Sequence, residues 1–290
     1  MKAELLYQAG AKLGEGALWN HDTQKLYWVD IEDRTFNILD PNSKENKAYS
    51  TVKRVGTVVP AGAGFVLVAL EDGIAAIDLS DGTIEYKLET DFHLEFDRRF
   101  NDGKCDPNGY FWVGTHSMSG KRGESSLYRI SPDLKIEEKI SGVSISNGIV
   151  WTEDKNLMYY IDTPTGQIVQ YDFGQDSEIS NKKIAIEIPR DMGDPDGMAI
   201  DREGKLWVAL WDGFCVVRCD PETGEIIQKI EVPAPKVTSC TFGGPDMDIL
   251  YITTASVEMT YEDMQRYPLS GGIFSVKPGV KGVFANKFNL

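Results

Sequence analysis

Six short runs rich in β-branched and aromatic residues, recurring every 39 to 48 residues, limit what this chain can fold into more than any other feature. They read KLYWVDI (25–31), GFVLVAL (64–70), YFWVGT (110–115), LMYYIDT (157–163), KLWVALW (205–211) and ILYITT (249–254). Their central bulky residues are Trp28, Leu67, Trp112, Tyr160, Trp207 and Tyr251, at separations of 39, 45, 48, 47 and 44. That period is the range of a propeller blade rather than of an ankyrin or tetratricopeptide unit. Helix-like periodicity is weak, and Gly, Asp, Asn and Pro split the runs as they split strands.

The clearer copies share an internal order. Residues 197–232 read as a strand (GMAID), a turn (REG), a second strand (KLWVALW), then FCVVRCD and EIIQKIEV, joined by DG and PETG. These are four strands linked by short hairpins with suitable turn residues. Residues 148–188 repeat the scheme. The sixth copy lacks a clear fourth strand after GGIFSVK (271–277), and AELLYQA (3–9) is a spare one. The expectation is an all-β, six-bladed propeller with four antiparallel strands per blade, in which the N-terminal strand closes the last blade and leaves no open edge. Residues 256–270 read as a surface loop inserted in blade six. No linker interrupts the chain, so residues 1–290 are expected to form a single domain.

Composition narrows the function classes. The formal net charge is −15, which repels phosphate backbones and anionic lipid, so neither nucleic acid nor a membrane is expected as a partner. No run approaches the roughly 20 apolar residues of a membrane span, and the first residues lack an apolar run of signal-peptide length. The four cysteines, Cys105, Cys215, Cys219 and Cys240, form no CxxC pair and are too few for a disulfide framework. A cytoplasmic protein with reduced, buried thiols is expected. There is no G-x-S-x-G elbow, Walker loop or HExxH helix.

The first strand of each blade lines the central channel of a propeller. Stepping back 11 to 13 residues from each anchor reaches Glu15, Val55 or Gly56, Asn101, Asn147, Asp196 and Ser239. Two carboxylates and two carboxamides thus meet at one repeat position. Such hard oxygen donors suit a divalent cation, although Asn or Asp before Gly also serves turns. Asp102 is the weaker candidate for the axis, since strand neighbours face opposite ways. Arg99 either orients oxygens of a ligand or pairs with Asp97 or Glu95 at the surface. His116 is either a proton carrier or substrate contact at the pocket rim, or an exposed loop histidine.

At these residues the chain resembles the gluconolactonase, regucalcin (senescence marker protein) and luciferin-regenerating-enzyme family. The shared stretches are GEGALW (14–19), RFNDGK (99–104), SNGIVW (146–151), PDGMAID (195–201) with EGKLWVA (203–209), and SCTFGG (239–244) with GGIF (271–274). The resemblance implies one divalent metal in the channel, its identity open among Ca, Zn, Mg, Mn and Fe, held by Glu15, Asn147 and Asp196. It implies substrate contacts from Arg99 and Asn101. Some members carry a substrate-contacting Glu beyond the GT of blade three. Here Ser119 aligns with it and His116 lies nearby, so both are candidate substrate contacts and the substrate itself is open.

The function expected is metal-dependent hydrolysis of a sugar lactone, a gluconolactone-like aldonolactone, to its aldonic acid, with Asp196 as ligand and general base. The alternatives are hydrolysis of another ester such as an organophosphate, and a non-catalytic calcium-binding regulator or protein-binding platform.

Overall fold

The computed structural model describes residues 1–62, 64–95 and 97–289, with Glu95 described in its backbone alone. Among the described residues, twenty-four strands form six four-stranded antiparallel sheets. Five sheets run in chain order from inner to outer strand. The sixth is assembled from Val237–Gly243, Ile249–Thr254, Ile273–Val276 and the N-terminal Glu4–Tyr7. Glu4 pairs with Ser275 and Leu5 with Phe274, so the first strand closes the last blade as expected. Among the described residues no helix is long and apolar enough to cross a membrane.

The repeated aromatic runs are the second strands of the blades, and their period-2 alternation explains why both faces are apolar. In Lys25–Asp30, Tyr27 and Val29 pack with Val58, Val66 and Val68 of blade two. Leu26 and Trp28 pack with Leu250 and Ile252 of blade six on the opposite face. Leu206–Trp211 repeats this, with Leu206, Val208 and Leu210 toward blade four and Trp207 and Ala209 toward blade six. The core is therefore a series of apolar layers between neighbouring sheets.

Two of the buried tryptophans are tied to their own turns. Trp112 Nε1 donates to Asp106 Oδ2 at 2.8 Å, and Trp207 Nε1 to Asp201 Oδ2 at 2.9 Å. The other oxygen of each aspartate accepts the turn amides, of Asn108 and Tyr110 in one case and of Glu203 and Lys205 in the other. One aspartate six residues before the anchor thus closes the hairpin and satisfies a buried indole. All four cysteines are free and buried, as the composition suggests.

The six inner strands are Gly14–Asn20, Val55–Pro60, Arg98–Cys105, Ser146–Trp151, Asp194–Ile200 and Val237–Gly243. Each contacts the next around the ring. Each also carries a bulge at the same height, where pairing to the second strand slips by one residue. Blades three, four and five skip Asn101–Asp102, Asn147–Gly148 and Asp196–Gly197. Blade one skips Gly16–Ala17, beside Glu15; blades two and six skip Gly56 and Thr238. The ring positions found by counting back from the anchors lie at or next to these bulges.

Residues 256–270 depart from a plain loop. Thr260 caps a short helix, Tyr261–Arg266, through a reciprocal capping box with Asp263. The amides of Ser256 and Val257 both bond to the Lys12 carbonyl, which docks the insertion against the start of blade one.

Candidate active site

The bulged residues place buried polar side chains on inner strands that touch one another. Glu15, Arg99, Asn101, Asp102, Asn147 and Asp196 are each 4–6% exposed. Glu15 and Asp196 lie close enough that the charge of Glu15 acts on Asp196, and Gly16 N donates to Glu15 Oε2 at 3.0 Å. Burial, followed by the charge of Asp102, pushes Glu15 up to about 8. Burial, followed by the charge of Glu15, pushes Asp196 well above the usual carboxylate range. Two buried carboxylates that repel each other do not both stay ionised readily without a proton or a cation to offset them.

The carboxamides continue the arc. Asn101 Nδ2 donates to Asn147 Oδ1 at 3.1 Å and to the Ser146 carbonyl at 2.8 Å. Asn147 Nδ2 donates to Thr163 Oγ1 at 2.7 Å. The Thr163 hydroxyl donates in turn to the carbonyl of Pro195, the neighbour of Asp196, at 2.8 Å. Gly148 permits the close approach: a Cβ there would lie 2.7 Å from the Asp196 carbonyl oxygen. Gly197 packs as tightly against Ser239, itself buried.

Arg99 turns inward. Its Nη1 donates to Asn101 Oδ1 at 2.6 Å and to the Phe100 carbonyl at 3.0 Å, and Nη2 meets His116 Nδ1 at 3.4 Å. Among the described residues its buried Nε has no partner. Glu95, one surface partner considered for Arg99, has its side chain outside the described residues. Burial lowers Arg99 to about 10, so it remains a cation at neutral pH. Burial and then the Arg99 charge lower His116 to about 3. His116 is therefore neutral, and because a guanidinium only donates, Nδ1 is the acceptor and Nε2 carries the proton.

Ser119 is not drawn into this arc. It is exposed beyond the second strand of blade three, 2.8 Å from Ser117 Oγ and 2.9 Å from Glu124 Oε2. The loop so positions the carboxylate of Glu124 beside the place where the resemblance would put a glutamate.

Two site residues were missed or undervalued from sequence. Asp102 is 4% exposed, and its charge acts on both Glu15 and Asp196. The expectation that it faces away assumed unbroken alternation, and the bulge between Phe100 and Gly103 breaks it. Thr163, at the end of LMYYIDT, gave no signal because its partners lie 16 and 32 residues further along or back.

Among the described residues no group of three or more His, Cys, Asp or Glu is arranged to hold a metal. The donors here are instead two carboxylates and a carboxamide oxygen. They fit a hard divalent cation on one structural ground besides their chemistry: Asp196 Oδ1 and Asp102 Oδ2 are buried and have no hydrogen-bond partner among the described residues.

The chain is similar to known proteins over nearly its whole length. The chain is 41% identical over 279 residues, 96% of its length and 95% of the relative's, to the "Putative sugar lactone lactonase YvrE" of Bacillus subtilis. It is 36% identical over 287 residues to the regucalcin of Danio rerio, covering 98% of this chain and 97% of that one. Its fold matches a calcium-binding protein, regucalcin, from Agrobacterium tumefaciens, with a TM-score of 0.94 at 25% identity over 100% of this chain and 98% of the other. Residues 13–256 match the SMP-30/Gluconolactonase/LRE-like region, and the chain belongs to that family.

Proposed function

We propose that this protein is a divalent-metal-dependent lactonase that opens a sugar lactone of the aldonolactone class to its aldonic acid. The observation that carries the reading is the pair of buried, electrostatically linked carboxylates Glu15 and Asp196, with one Asp196 oxygen unpartnered, within the field of the buried Arg99 that meets His116. The lactonase name of the Bacillus subtilis relative supports the reaction, and the calcium-binding description of the Agrobacterium protein supports a cation.

Glu15, Asn147 and Asp196 would hold one divalent cation (Ca, Zn, Mg, Mn or Fe). When bound it supplies Lewis acidity at the lactone carbonyl and offsets the two carboxylates. The remaining chemistry belongs to the chain. Asp196 takes a proton from the attacking water as its oxygen bonds to the carbonyl carbon. The same carboxyl returns the proton to the ring oxygen as the ring C–O bond breaks, leaving acid and hydroxyl. Arg99 donates through its free N–H groups to substrate oxygens, and Asn101 holds the guanidinium in place. His116, with Nδ1 taken by Arg99, presents Nε2–H to a sugar hydroxyl. Ser119 and Glu124 stand at the outer edge, where they would read the far end of the sugar.

A pH-stat assay over a panel of aldonolactones, with and without chelator, tests this. Acid release that chelation stops and added cation restores is the expected result. Calcium binding without acid release from any lactone would instead favour a non-catalytic calcium-binding regulator. Turnover of a phosphotriester alone would favour the other ester.

A further inference from the structure

We infer that Thr163 is a positioning residue that, with Asn101, fixes which way the Asn147 carboxamide faces, as the last side chain of a one-way hydrogen-bond chain beginning at Arg99. The inference rests on the proposed cation site and names what orients one of its three donors.

A carboxamide has nearly the same shape with oxygen and nitrogen exchanged, so packing alone does not orient it; its hydrogen bonds do. Only the oxygen can bind a cation. Around Asn147 the partners leave one choice. The Pro195 carbonyl only accepts, so the single proton of the Thr163 hydroxyl is committed to it at 2.8 Å. That hydroxyl must then accept, and what it accepts is Asn147 Nδ2 at 2.7 Å. At the other end Arg99 only donates, to Asn101 Oδ1 at 2.6 Å. Asn101 therefore offers Nδ2, which meets the Ser146 carbonyl and Asn147 Oδ1. Every link runs in one direction, from Arg99 through Asn101, Asn147 and Thr163 to Pro195. Turning the Asn147 amide would set N–H against N–H at Asn101 and leave the Thr163 hydroxyl facing an acceptor with no proton to give.

Thr163 itself is held by a stiff frame. Its amide donates to the Ile145 carbonyl at 3.1 Å, and Asp162 Oδ1 accepts the amides of Ser144 and Ile145. It opens a short 3-10 turn that contains Pro164 and ends at Gly166. The hydroxyl also joins Asn147 of blade four to the backbone beside Asp196 of blade five. It therefore fixes the separation of two donors as well as the orientation of one.

The test is isothermal titration with Ca²⁺ alone and with Mn²⁺ alone on wild type, Thr163→Val, Thr163→Ser, Asn147→Ala and the Thr163→Val/Asn147→Ala double variant. Thermal unfolding of each is followed in parallel. Thr163→Val keeps the shape and removes the hydroxyl, so affinity should fall about 10- to 100-fold, the usual cost of losing a residue that orients a ligand. Thr163→Ser should bind close to wild type. On the Asn147→Ala background the valine change should cost nothing more, because its effect passes through that amide. Undiminished affinity in Thr163→Val, or a loss that adds to that of Asn147→Ala, overturns the role of Thr163 while leaving the cation site standing. Wild type that takes up neither ion, or Asn147→Ala that binds as wild type does, overturns the cation site and this inference with it. Should the valine variant not fold, Thr163→Ala and Thr163→Ser carry the same comparison.

Discussion

Blades two and five share one backbone and differ in chemistry. Val55–Pro60 and Asp194–Ile200 are both inner strands, and both bulge at the height of the ring. Both place glycine at the bulge for the same reason. A Cβ on Gly56 would lie 2.5 Å from the Phe100 carbonyl oxygen, and one on Gly197 would lie 2.5 Å from Ser239 Oγ. The residue before the glycine differs. Val55 is fully buried in the apolar layer between blades one and two, whereas Asp196 is a buried carboxylate with an unpartnered oxygen. The bulge is thus a property of the fold, repeated in all six inner strands, and the side chain beside it decides whether a blade contributes chemistry.

Removing the blade-five carboxylate should have the largest effect. Asp196→Ala is expected to lose about 10²- to 10⁴-fold in kcat, the range of a positioned acid–base group. Metal content should fall as well, and excess cation should restore little because the base stays missing. Near-normal turnover in that variant would mean that blade five is no more chemical than blade two. Arg99→Ala should keep its metal and lose transition-state orientation worth about 1–3 kcal/mol, read from kcat/KM. An Arg99 variant without metal would show that the guanidinium supports the cation site rather than the substrate.

The counterpart change in blade two is Gly56→Ala. The new methyl meets backbone of blade three rather than a movable side chain, so a loss of about 1–3 kcal/mol in unfolding free energy is expected, measured by denaturant. The methyl would also lie 2.6 Å from the Asn101 carbonyl oxygen, so turnover should fall through displacement of Asn101, but by less than in Asp196→Ala and with the metal retained. A Gly56→Ala protein of wild-type stability that had lost its metal as Asp196→Ala does would break the contrast, because blade two would then support the cation site as blade five does.

The contrast also marks what sequence could and could not supply. The blade count was legible because second strands buried on both faces must be apolar throughout, and Trp28, Trp112 and Trp207 stand out as anchors. The ring was legible because one bulge and one hairpin separate it from the anchor in every blade, so the offset of 11 to 13 residues hardly varies. Asp102 was undervalued by a rule valid for regular strands and suspended at a bulge. Lys104 shows another limit. It reaches from blade three to the Met198 carbonyl of blade five, a contact no local pattern contains. The C-terminal segment was silent for the same reason: its links from Gly282 to Met247, Phe288 to Pro60 and Asn289 to Gly109 join residues remote in sequence.

The smallest effect expected concerns His116, and it separates a neutral imidazole from a proton carrier. Burial and the neighbouring Arg99 hold His116 at about 3 in the folded chain, against roughly 6.5 when unfolded. Between these values the unfolded chain binds a proton that the folded chain does not. Stability from this group is therefore complete above about pH 6.5 and declines as pH falls toward 3. The buried carboxylates Glu15 and Asp196, raised rather than lowered, shift stability in the opposite sense, so the wild-type profile alone mixes the contributions. Comparing wild type with His116→Asn removes that ambiguity, because the carboxylates are common to both. The variant's melting temperature should fall less between pH 7 and pH 5 than that of wild type. Its pH profile of kcat/KM over the same range should keep its shape, while the preference between two lactones shifts. Loss of a limb near pH 6 to 7 from the rate profile would instead make His116 the proton carrier, and blade three a second chemical partner to blade five.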